Sequence, residues 1–304
     1  MQTITPVYSD VNWDRPRVTD IFTENRSLLF GIAYRMLGRT VEAEDMVQEP
    51  WLRWQRQNPA DIRSPKAWLV AAVTRLCIDQ LRSAKHEREQ YYRVWLPEPL
   101  VAPSTAAGQP EAMADSLTMA FMLMLETLNP IERAVFLLRN VFDYDYAEIA
   151  RTVNKSEANC RQIASRAKNR LSLSASTPPP PNDQAERIVQ QFLLAQKTGS
   201  LDDLLALLTE DATLYADGGG RVPAVGRPIR GADPISRFFI GIRRLLPPNL
   251  ELRLTPMNGS VGVIVLVDSH VIQTMSFEIV GDRVRAIYIV RNPEKLRRVE
   301  DQMR

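Results

Sequence analysis

The sequence predicts a multidomain protein in which two all-α units, the second with a helix-turn-helix, precede an α+β domain. Residues 18–93 carry apolar residues at helical spacing and no strand-like alternation. Residues 128–171 hold three short helical periods, the last two separated by a tight turn. After the prolines at 178–181, helical periods give way to strand patterns divided by Asn-Gly and Gly-Asp turn dipeptides. This change of pattern separates the α+β domain from the helical units.

Composition places few limits on the function but several on the location. The 304 residues are 45% hydrophobic and 24% charged, with a net charge of +2, as in a soluble globular protein of two or three domains. Cys77 and Cys160 lie in apolar helical patterns and are predicted to be core thiols in a reducing compartment, so no disulfide, metal site or cofactor is expected. The N-terminus lacks a secretory pattern, and no run approaches the roughly 20 apolar residues of a membrane span. A cytoplasmic protein is therefore expected.

The first unit is predicted to contain three helices, over 18–37, 41–55 and 66–88. Gly38 ends the first helix as a C-cap. Pro50 lies inside the second helix, where it removes a backbone hydrogen bond and costs about 3 kcal/mol unless the helix kinks. Trp54 and Trp68 fall on apolar helical faces, which favours a place in the core over a role as ring platforms for bases.

Two linkers are predicted from composition. Residues 96–110 are rich in Pro, Ala, Ser, Thr and Gly without an apolar period, which predicts an extended and mobile tether. The prolines at 178–181 predict a short polyproline spacer. The predicted boundaries are 18–95 for the first helical unit, 96–110 for the first linker, 111–173 for the helix-turn-helix unit, 174–183 for the second linker and 184–296 for the α+β domain.

The last helix of the helix-turn-helix carries the clearest functional signal. Ser156 is a good N-cap for it, and its inner face is apolar. Five basic residues and one acidic residue lie between Lys155 and Leu171, so the outer face is positive. Such a helix suits the major groove of DNA, although an ordinary amphipathic helix with a solvated basic face is the alternative. The predicted DNA contacts on this helix are Lys155, Ser156, Glu157, Arg161, Gln162, Ser165 and Lys168.

In the C-terminal domain, helices are predicted over 184–197, 201–208 and 233–245 and strands over 212–216, 249–257, 262–268, 270–280 and 283–290. Helices on one face of a curved antiparallel sheet would form an α+β cone. Asp217 and His270 are candidate general bases. The alternative for Asp217 is a structural role, in which its carboxylate closes a tight, glycine-rich loop. A small-molecule ligand inside the cone is a further alternative.

Two segments of the first unit resemble a known signature. They read YRMLGRTVEAEDMVQEPWLRW at 34–54 and SPKAWLVAAVTRLCIDQLRSAK at 64–85. They resemble region two of bacterial extracytoplasmic-function sigma factors, and the helix-turn-helix then resembles region four. The resemblance implies core RNA polymerase as the partner, with Asp45, Gln48 and Glu49 on the clamp helices of the beta-prime subunit and region four at the beta flap. It also implies that residues 58–88 melt the minus-ten promoter element and capture an unstacked base. The arginines that would supply charge there are Arg63, Arg75, Arg82 and Arg88.

Three further motifs resemble one subgroup of these sigma factors. They read WLPEP at 95–99, DGGGR at 217–221 and NPEKL at 292–296. The subgroup carries a fused C-terminal domain of the SnoaL-like branch of the nuclear-transport-factor-type (NTF2-like) cone fold, which contacts the sigma domains and modulates activity. The residues implied in this interdomain contact are Asp217, Gly218, Gly219, Gly220, Arg221, Asn292, Pro293 and Lys295.

The favoured hypothesis is an RNA polymerase sigma factor that recognises a two-part promoter, is tuned by its own C-terminal domain and is not an enzyme. One alternative is a SnoaL-like isomerase or hydrolase with an accessory DNA-binding half. Another is a DNA-binding protein without polymerase contact, against which the acidic helix around Asp45 argues.

Overall fold

The N-terminal bundle consists of α1 (Arg15–Leu37), α2 (Thr40–Trp54) and α3 (Pro65–Glu89). The computed structural model describes residues 15–55, 62, 64–89, 94–101, 118–172 and 180–303, with the backbone alone at 15–18, 84–89 and 172. Gly38 ends α1 in the left-handed region at φ +72°, as its C-cap position predicts. None of the helices in the described ranges is both long and apolar enough to cross a membrane.

Helix α2 runs through Pro50 to Trp54. The buried residues Ala43, Val47, Pro50 and Trp54 recur at intervals of three and four, so the proline lies on the buried face of the helix. Packing of this face compensates for the backbone hydrogen bond that Pro50 lacks. Trp54 is buried and its ring centroid lies 5.5 Å from that of Trp68, which confirms the predicted core position of Trp54.

The helix-turn-helix unit consists of α4 (Met119–Leu125), α5 (Pro130–Asn140), α6 (Tyr146–Val153) and α7 (Glu157–Ser172). Capping boxes open two of these helices: Asn129 with Glu132 at α5, and Asp145 with Glu148 at α6. Asn154 ends α6 in the left-handed region at φ 53° and so makes the tight turn before α7. Ser156 Oγ accepts a hydrogen bond from Asn159 N at 3.2 Å, which confirms the predicted N-cap.

The N-terminal bundle and the helix-turn-helix unit share one hydrophobic core. Buried side chains of α1 and α3 form a continuous cluster with those of α5, α6 and α7. Nη1 of the buried Arg133 in α5 donates a hydrogen bond to Met36 O at the end of α1, at a distance of 2.7 Å. It also donates to Glu126 Oε1 at 2.8 Å. The two units therefore pack together directly.

The C-terminal domain has helices before, within and after a six-stranded sheet. Its elements are α8 (Asn182–Thr198), α9 (Leu201–Leu207), β1 (Leu208–Asp217), β2 (Ile229–Arg230), α10 (Ala232–Arg243), β3 (Leu250–Met257), β4 (Ser260–Val267), β5 (His270–Val280), β6 (Arg283–Val290) and α11 (Pro293–Met303). The strand order is β2-β1-β6-β5-β4-β3. The predicted fold class, helical units followed by an α+β domain, is confirmed.

Predictions for this domain were incomplete in three respects. The short strand β2 was not predicted, so the sheet has six strands where five were expected. The sheet is mixed, because β1 pairs in parallel with β6, whereas a wholly antiparallel sheet was expected. Helix α11 was not predicted as an element, although Pro293 at its start and the spacing of Leu296, Val299 and Met303 are helical signals.

Helices α8, α9 and α10 cover one face of the sheet. Phe192 of α8 is buried there, with its ring centroid 5.0 Å from that of Phe239 in α10 and 5.5 Å from that of Phe277 in β5. Both contacts have the edge-to-face geometry that aromatic pairs prefer. Packed aromatic side chains thus join the helices to the sheet on this face.

Residues 94–101, the helix-turn-helix unit and the C-terminal helix cover the opposite face. Leu96 and Val101, Met119 of α4, and Leu296 and Val299 of α11 form one buried cluster with side chains of β4, β5 and β6. The C-terminal domain therefore buries this face against the rest of the chain and not only against its own elements.

Residues 94–101, called the strap below, form no helix and run between the N-terminal bundle and the sheet. Leu96, Pro97, Glu98 and Pro99 are buried. The prediction of a mobile linker is wrong for residues 96–101, because Leu96, Pro97 and Pro99 are buried apolar contacts instead of parts of a solvated spacer. The remaining linker residues, 102–110, and residues 174–179 of the second linker lie outside the described residues.

Candidate functional surfaces

One exposed face of α2 carries most of the predicted polymerase-docking residues. Asp45 and Gln48 are exposed, and Val41 and Leu52, one helical turn to either side, are 64% and 50% exposed. Glu49 lies at the edge of this face and pairs with Arg53 at 2.9 Å. A polar centre between two exposed apolar side chains on a rigid helix suits a protein partner.

The arginines predicted to contact the minus-ten element have different surroundings. Arg63 and the side chain of Arg88 lie outside the described residues. Arg82 is exposed, 3.5 Å from Asp79. Arg75 donates from Nε to Thr152 O at 2.8 Å and from Nη2 to Arg151 O at 2.7 Å. In this arrangement Arg75 binds the last carbonyls of α6 and so holds the helix-turn-helix unit on α3.

The outer face of α7 is open. Of the residues whose helical spacing predicts the inner face, Cys160, Ala164, Ala167 and Leu171 are buried and Ile163 is partly buried. All seven predicted contacts are exposed: Lys155, Ser156, Glu157, Arg161, Gln162, Ser165 and Lys168. All the DNA contacts predicted for this helix therefore share one accessible surface.

The three sequence motifs of the predicted interdomain contact meet at Asp217. Its Oδ2 accepts hydrogen bonds from Lys295 Nζ at 2.7 Å and from Leu96 N at 3.0 Å, and its Oδ1 accepts one from Gly219 N at 2.9 Å. Lys295 Nζ also donates to Leu96 O at 2.5 Å and lies 4.4 Å from the ring centroid of Trp95. One buried ion pair thus joins β1, α11 and the strap.

The glycines after Asp217 allow close approach of backbone and side chains. Gly219 has φ +65°, and a Cβ there would lie 2.4 Å from Cγ of Asn292. A Cβ at Gly218 would lie 2.3 Å from Val222 O. Gly220, at φ +71°, has open space around it, so the conformation of its backbone alone favours glycine.

The start of α11 is fixed against the same loop. Asn292 Oδ1 accepts a hydrogen bond from Glu294 N at 3.1 Å, while Pro293 occupies the first helical position. Asp217 O accepts hydrogen bonds from the backbone N–H groups of Arg291 and Asn292 at 2.7 and 3.0 Å. Arg221 pairs with Glu294 at the exposed rim. The loop and the helix therefore orient Lys295 toward Asp217.

A second buried junction on the strap was not predicted. Tyr34 Oη donates to Glu98 O at 2.7 Å and accepts from Asn258 Nδ2 at 2.8 Å. The Glu98 carboxylate accepts from Thr40 N at 2.8 Å and from the Thr40 hydroxyl. Burial raises the pKa of Tyr34 well above its ordinary value, so its hydroxyl stays protonated. The sequence pattern around Asn258 predicts only a hairpin turn and gives no indication of this contact with Tyr34.

The C-terminal helix also reaches the bundle that carries the docking face. Arg298 of α11 lies 3.5 Å from Glu44 of α2, and its guanidinium lies 5.5 Å from the ring centroid of Phe30 in α1. Glu44 pairs with Arg26 of α1 as well. The C-terminal domain therefore contacts α2 beside its exposed face.

His270, the second candidate base, lies at the exposed start of β5. Its Nδ1 is 2.9 Å from Glu300 Oε1 of α11. Asp217 is buried in the ion pair with Lys295. The two candidate bases therefore do not share one site: His270 is exposed and Asp217 is buried.

These features define a helical protein with an open helix-turn-helix surface, fused to an α+β domain that is tied to its N-terminal bundle. Comparison with known families and proteins agrees. The Sigma-70 region 2 family matches residues 21–87, and the Sigma-70 region 4 family matches residues 118–171.

Similar proteins cover nearly the whole chain. The ECF RNA polymerase sigma factor SigJ of Mycobacterium tuberculosis is 35% identical over 90% of this chain and 91% of its own length. The probable ECF RNA polymerase sigma factor SigI of the same species is 29% identical over 92% and 94%. The crystal structure of M. tuberculosis SigJ superposes with a TM-score of 0.74 at 32% identity, over 91% of this chain and 98% of that one. The chain belongs to the extracytoplasmic-function RNA polymerase sigma factors, which bind core RNA polymerase and promoter DNA.

Proposed function

We propose that α2 binds the clamp helices of the beta-prime subunit through Asp45, Gln48 and Glu49. The observation that supports this most strongly is the exposed stripe on α2, in which Val41 and Leu52 flank the polar residues. Large apolar side chains that remain exposed on a rigid helix are typical of a surface completed by a partner. We propose the beta flap as the contact of the helix-turn-helix unit.

We further propose that α7 reads the minus-thirty-five element and that α3, with the loop before it, opens the minus-ten element. The exposed residues of α7 support the first contact. For the second contact, Arg75 now binds carbonyls of α6, so it becomes available only when α6 leaves α3. Promoter opening then requires the two helical units to separate.

The C-terminal domain is proposed to modulate this separation. The strap is bonded on one side to Tyr34 and Thr40 of the N-terminal bundle, and on the other to Asp217 and Asn258 of the C-terminal domain. A domain held at these points changes the free energy of any movement of the bundle. This role needs no catalysis: the Asp217 carboxylate binds Lys295 Nζ, Leu96 N and Gly219 N, which are contacts that hold the fold together, so we propose that the chain is not an enzyme.

Run-off transcription with purified core polymerase tests the proposal on the promoter upstream of the chain's own gene. The full chain is compared with the Asp217→Ala and Lys295→Met variants, because removing the whole domain would expose the apolar cluster that the strap, α4 and α11 share with the sheet. Transcripts from the wild type support the sigma role, and a change in output from the variants supports modulation. A wild-type chain that yields no transcript and does not bind core polymerase would refute the sigma role. Identical output from all three chains would refute modulation by the C-terminal domain.

A further inference from the structure

The ring of Tyr146, the first residue of α6, lies against two arginines. The guanidinium carbon of Arg161 is 5.1 Å from the ring centroid, and that of Arg139 is 5.2 Å from it. Arg161 Nη2 also donates to Glu157 Oε2 at 2.9 Å. Arg161, an exposed residue of α7, is thus held both by a ring of the preceding helix and by a carboxylate of its own helix.

Tyr146 is itself firmly placed. It follows the N-cap Asp145, whose Oδ1 accepts from Glu148 N at 2.7 Å in the capping box of α6. Its ring is half-buried against the shared helical core. Arg139 on the same ring is anchored through Tyr144 O at 3.0 Å. The ring therefore offers Arg161 a fixed surface.

We infer that Tyr146 is a positioning residue for Arg161, which it holds where the guanidinium reads a base of the minus-thirty-five element. The inference rests on the proposed DNA contact of α7. A free arginine loses many rotamers when it binds DNA, and a guanidinium already stacked on a ring has lost part of that freedom beforehand. Arg161 gives one Nη2 hydrogen bond to Glu157, and its other N–H groups remain for a guanine, which arginine recognises through two hydrogen bonds.

A purely structural role for the ring predicts something different. If Tyr146 only stabilised the helix-turn-helix unit, its loss would weaken binding to every DNA sequence alike. If it positions Arg161, its loss weakens discrimination at the one base pair that Arg161 reads. A profile of base preference therefore distinguishes the two roles of Tyr146, whereas affinity for a single promoter does not.

The experiment uses holoenzyme assembled from the full chain and core polymerase, with promoter duplexes randomised over the minus-thirty-five hexamer. Arg161→Ala identifies the position read by Arg161. At that position we expect Tyr146→Leu to lower the preference about two- to fivefold, and Tyr146→Phe to retain most of it because the ring remains. The double variant should match Arg161→Ala alone. Tyr144→Leu is the matched control, since Tyr144 is also half-buried but lines a cleft with Ser64 and Lys66.

Each other outcome overturns the inference. An unchanged preference profile with uniformly weaker binding of Tyr146→Leu would make the ring structural, and so would a further loss when Tyr146→Leu is added to Arg161→Ala. Equal losses from the Phe and Leu variants would show that stacking on the ring is not the cause. A wild-type holoenzyme that selects no hexamer would instead refute the proposed function, while a selected hexamer that neither Arg161→Ala nor Tyr146→Leu alters would refute the inference alone.

Discussion

Lys295 Nζ lies 2.7 Å from Asp217 Oδ2 in a contact where the side chains are only 3% and 0% exposed. The two residues come from α11 and from the end of β1, and the strap passes between the N-terminal bundle and this pair. Two charges so deeply buried are tolerated because each also binds the backbone of Leu96. The ion pair therefore requires the strap, and the strap is fixed by the ion pair.

The first prediction concerns this pair. Asp217→Ala leaves the Lys295 ammonium buried without its counter-charge, which should lower the free energy of unfolding by about 3–5 kcal/mol. Denaturant unfolding of the full chain measures this. Asp217→Ala combined with Lys295→Met should recover most of the loss, and Arg221→Ala, which removes only the exposed pair with Glu294, should cost less than about 1 kcal/mol. Unfolding of Asp217→Ala at the wild-type midpoint would show that the pair contributes no stability.

The second prediction concerns the exposed face of α2. Leu52 is half-exposed, and a partner that covered it would gain about 1–1.5 kcal/mol, so Leu52→Ala should weaken binding to core polymerase about tenfold. Leu194→Ala is the matched control, because Leu194 is 60% exposed on α8 of the C-terminal domain. Neither change should alter thermal stability much, since both side chains are solvated. Equal affinities of the two variants would remove Leu52 from the interface.

Much of the helical fold could be predicted because its signals are local. Asn129, Asp145 and Ser156 each stand directly before a helix and accept hydrogen bonds from its first turn. Apolar spacing then gave the inner face of α7. Capping and periodicity depend on neighbours a few residues away, so a single sequence contains them.

The contacts made at long range could not be predicted in the same way. Arg75 and Thr152 are 77 residues apart, and nothing local indicates that they bind each other. The burial of Glu98 depends on Thr40 and the parallel pairing of β1 with β6 depends on the whole domain. The motif resemblance brought Asp217, Leu96 and Lys295 to attention together, but only the structure shows that they share hydrogen bonds.

The third prediction separates phosphate contacts from base contacts on α7. Lys168 is exposed on the outer face, toward the C-terminal half of the helix, where a phosphate contact carries no sequence information. Lys168→Ala should weaken binding to all promoter sequences equally and reduce the slope of log affinity against log salt by about 1. Arg187→Ala on α8, an exposed cation of the C-terminal domain, should leave the slope unchanged. A change in base preference for Lys168→Ala would contradict this assignment.

The fourth prediction concerns alkaline pH. Burial, with a smaller effect of the Glu148 charge, raises the pKa of Tyr144 to about 12. In the unfolded chain a tyrosine ionises near pH 10, so the folded state holds this proton more tightly, and stability falls as pH rises from about 10 toward 12. Tyr144→Phe should lose less stability over that range than the wild type, as measured by denaturant unfolding at a series of pH values.

At neutral pH the variant should be as stable as the wild type or slightly more so, because the buried Tyr144 hydroxyl has no hydrogen-bond partner in the described part of the chain. Parallel pH profiles would contradict the raised pKa.

The last prediction tests whether Arg75 serves two states of the molecule. In the free chain it binds two carbonyls at the end of α6, so Arg75→Ala should speed hydrogen exchange of α6 amides about tenfold or more. In the holoenzyme, where the helical units are proposed to separate, the same change should slow opening of the minus-ten element, because a cation beside the single strand is lost. Arg82→Ala is the matched control on the same helix: Arg82 is exposed beside Asp79, so its loss should slow promoter opening without changing exchange in α6. Faster promoter opening by Arg75→Ala would mean that the arginine only holds the units together, and unchanged exchange in α6 would mean that it does not hold them at all.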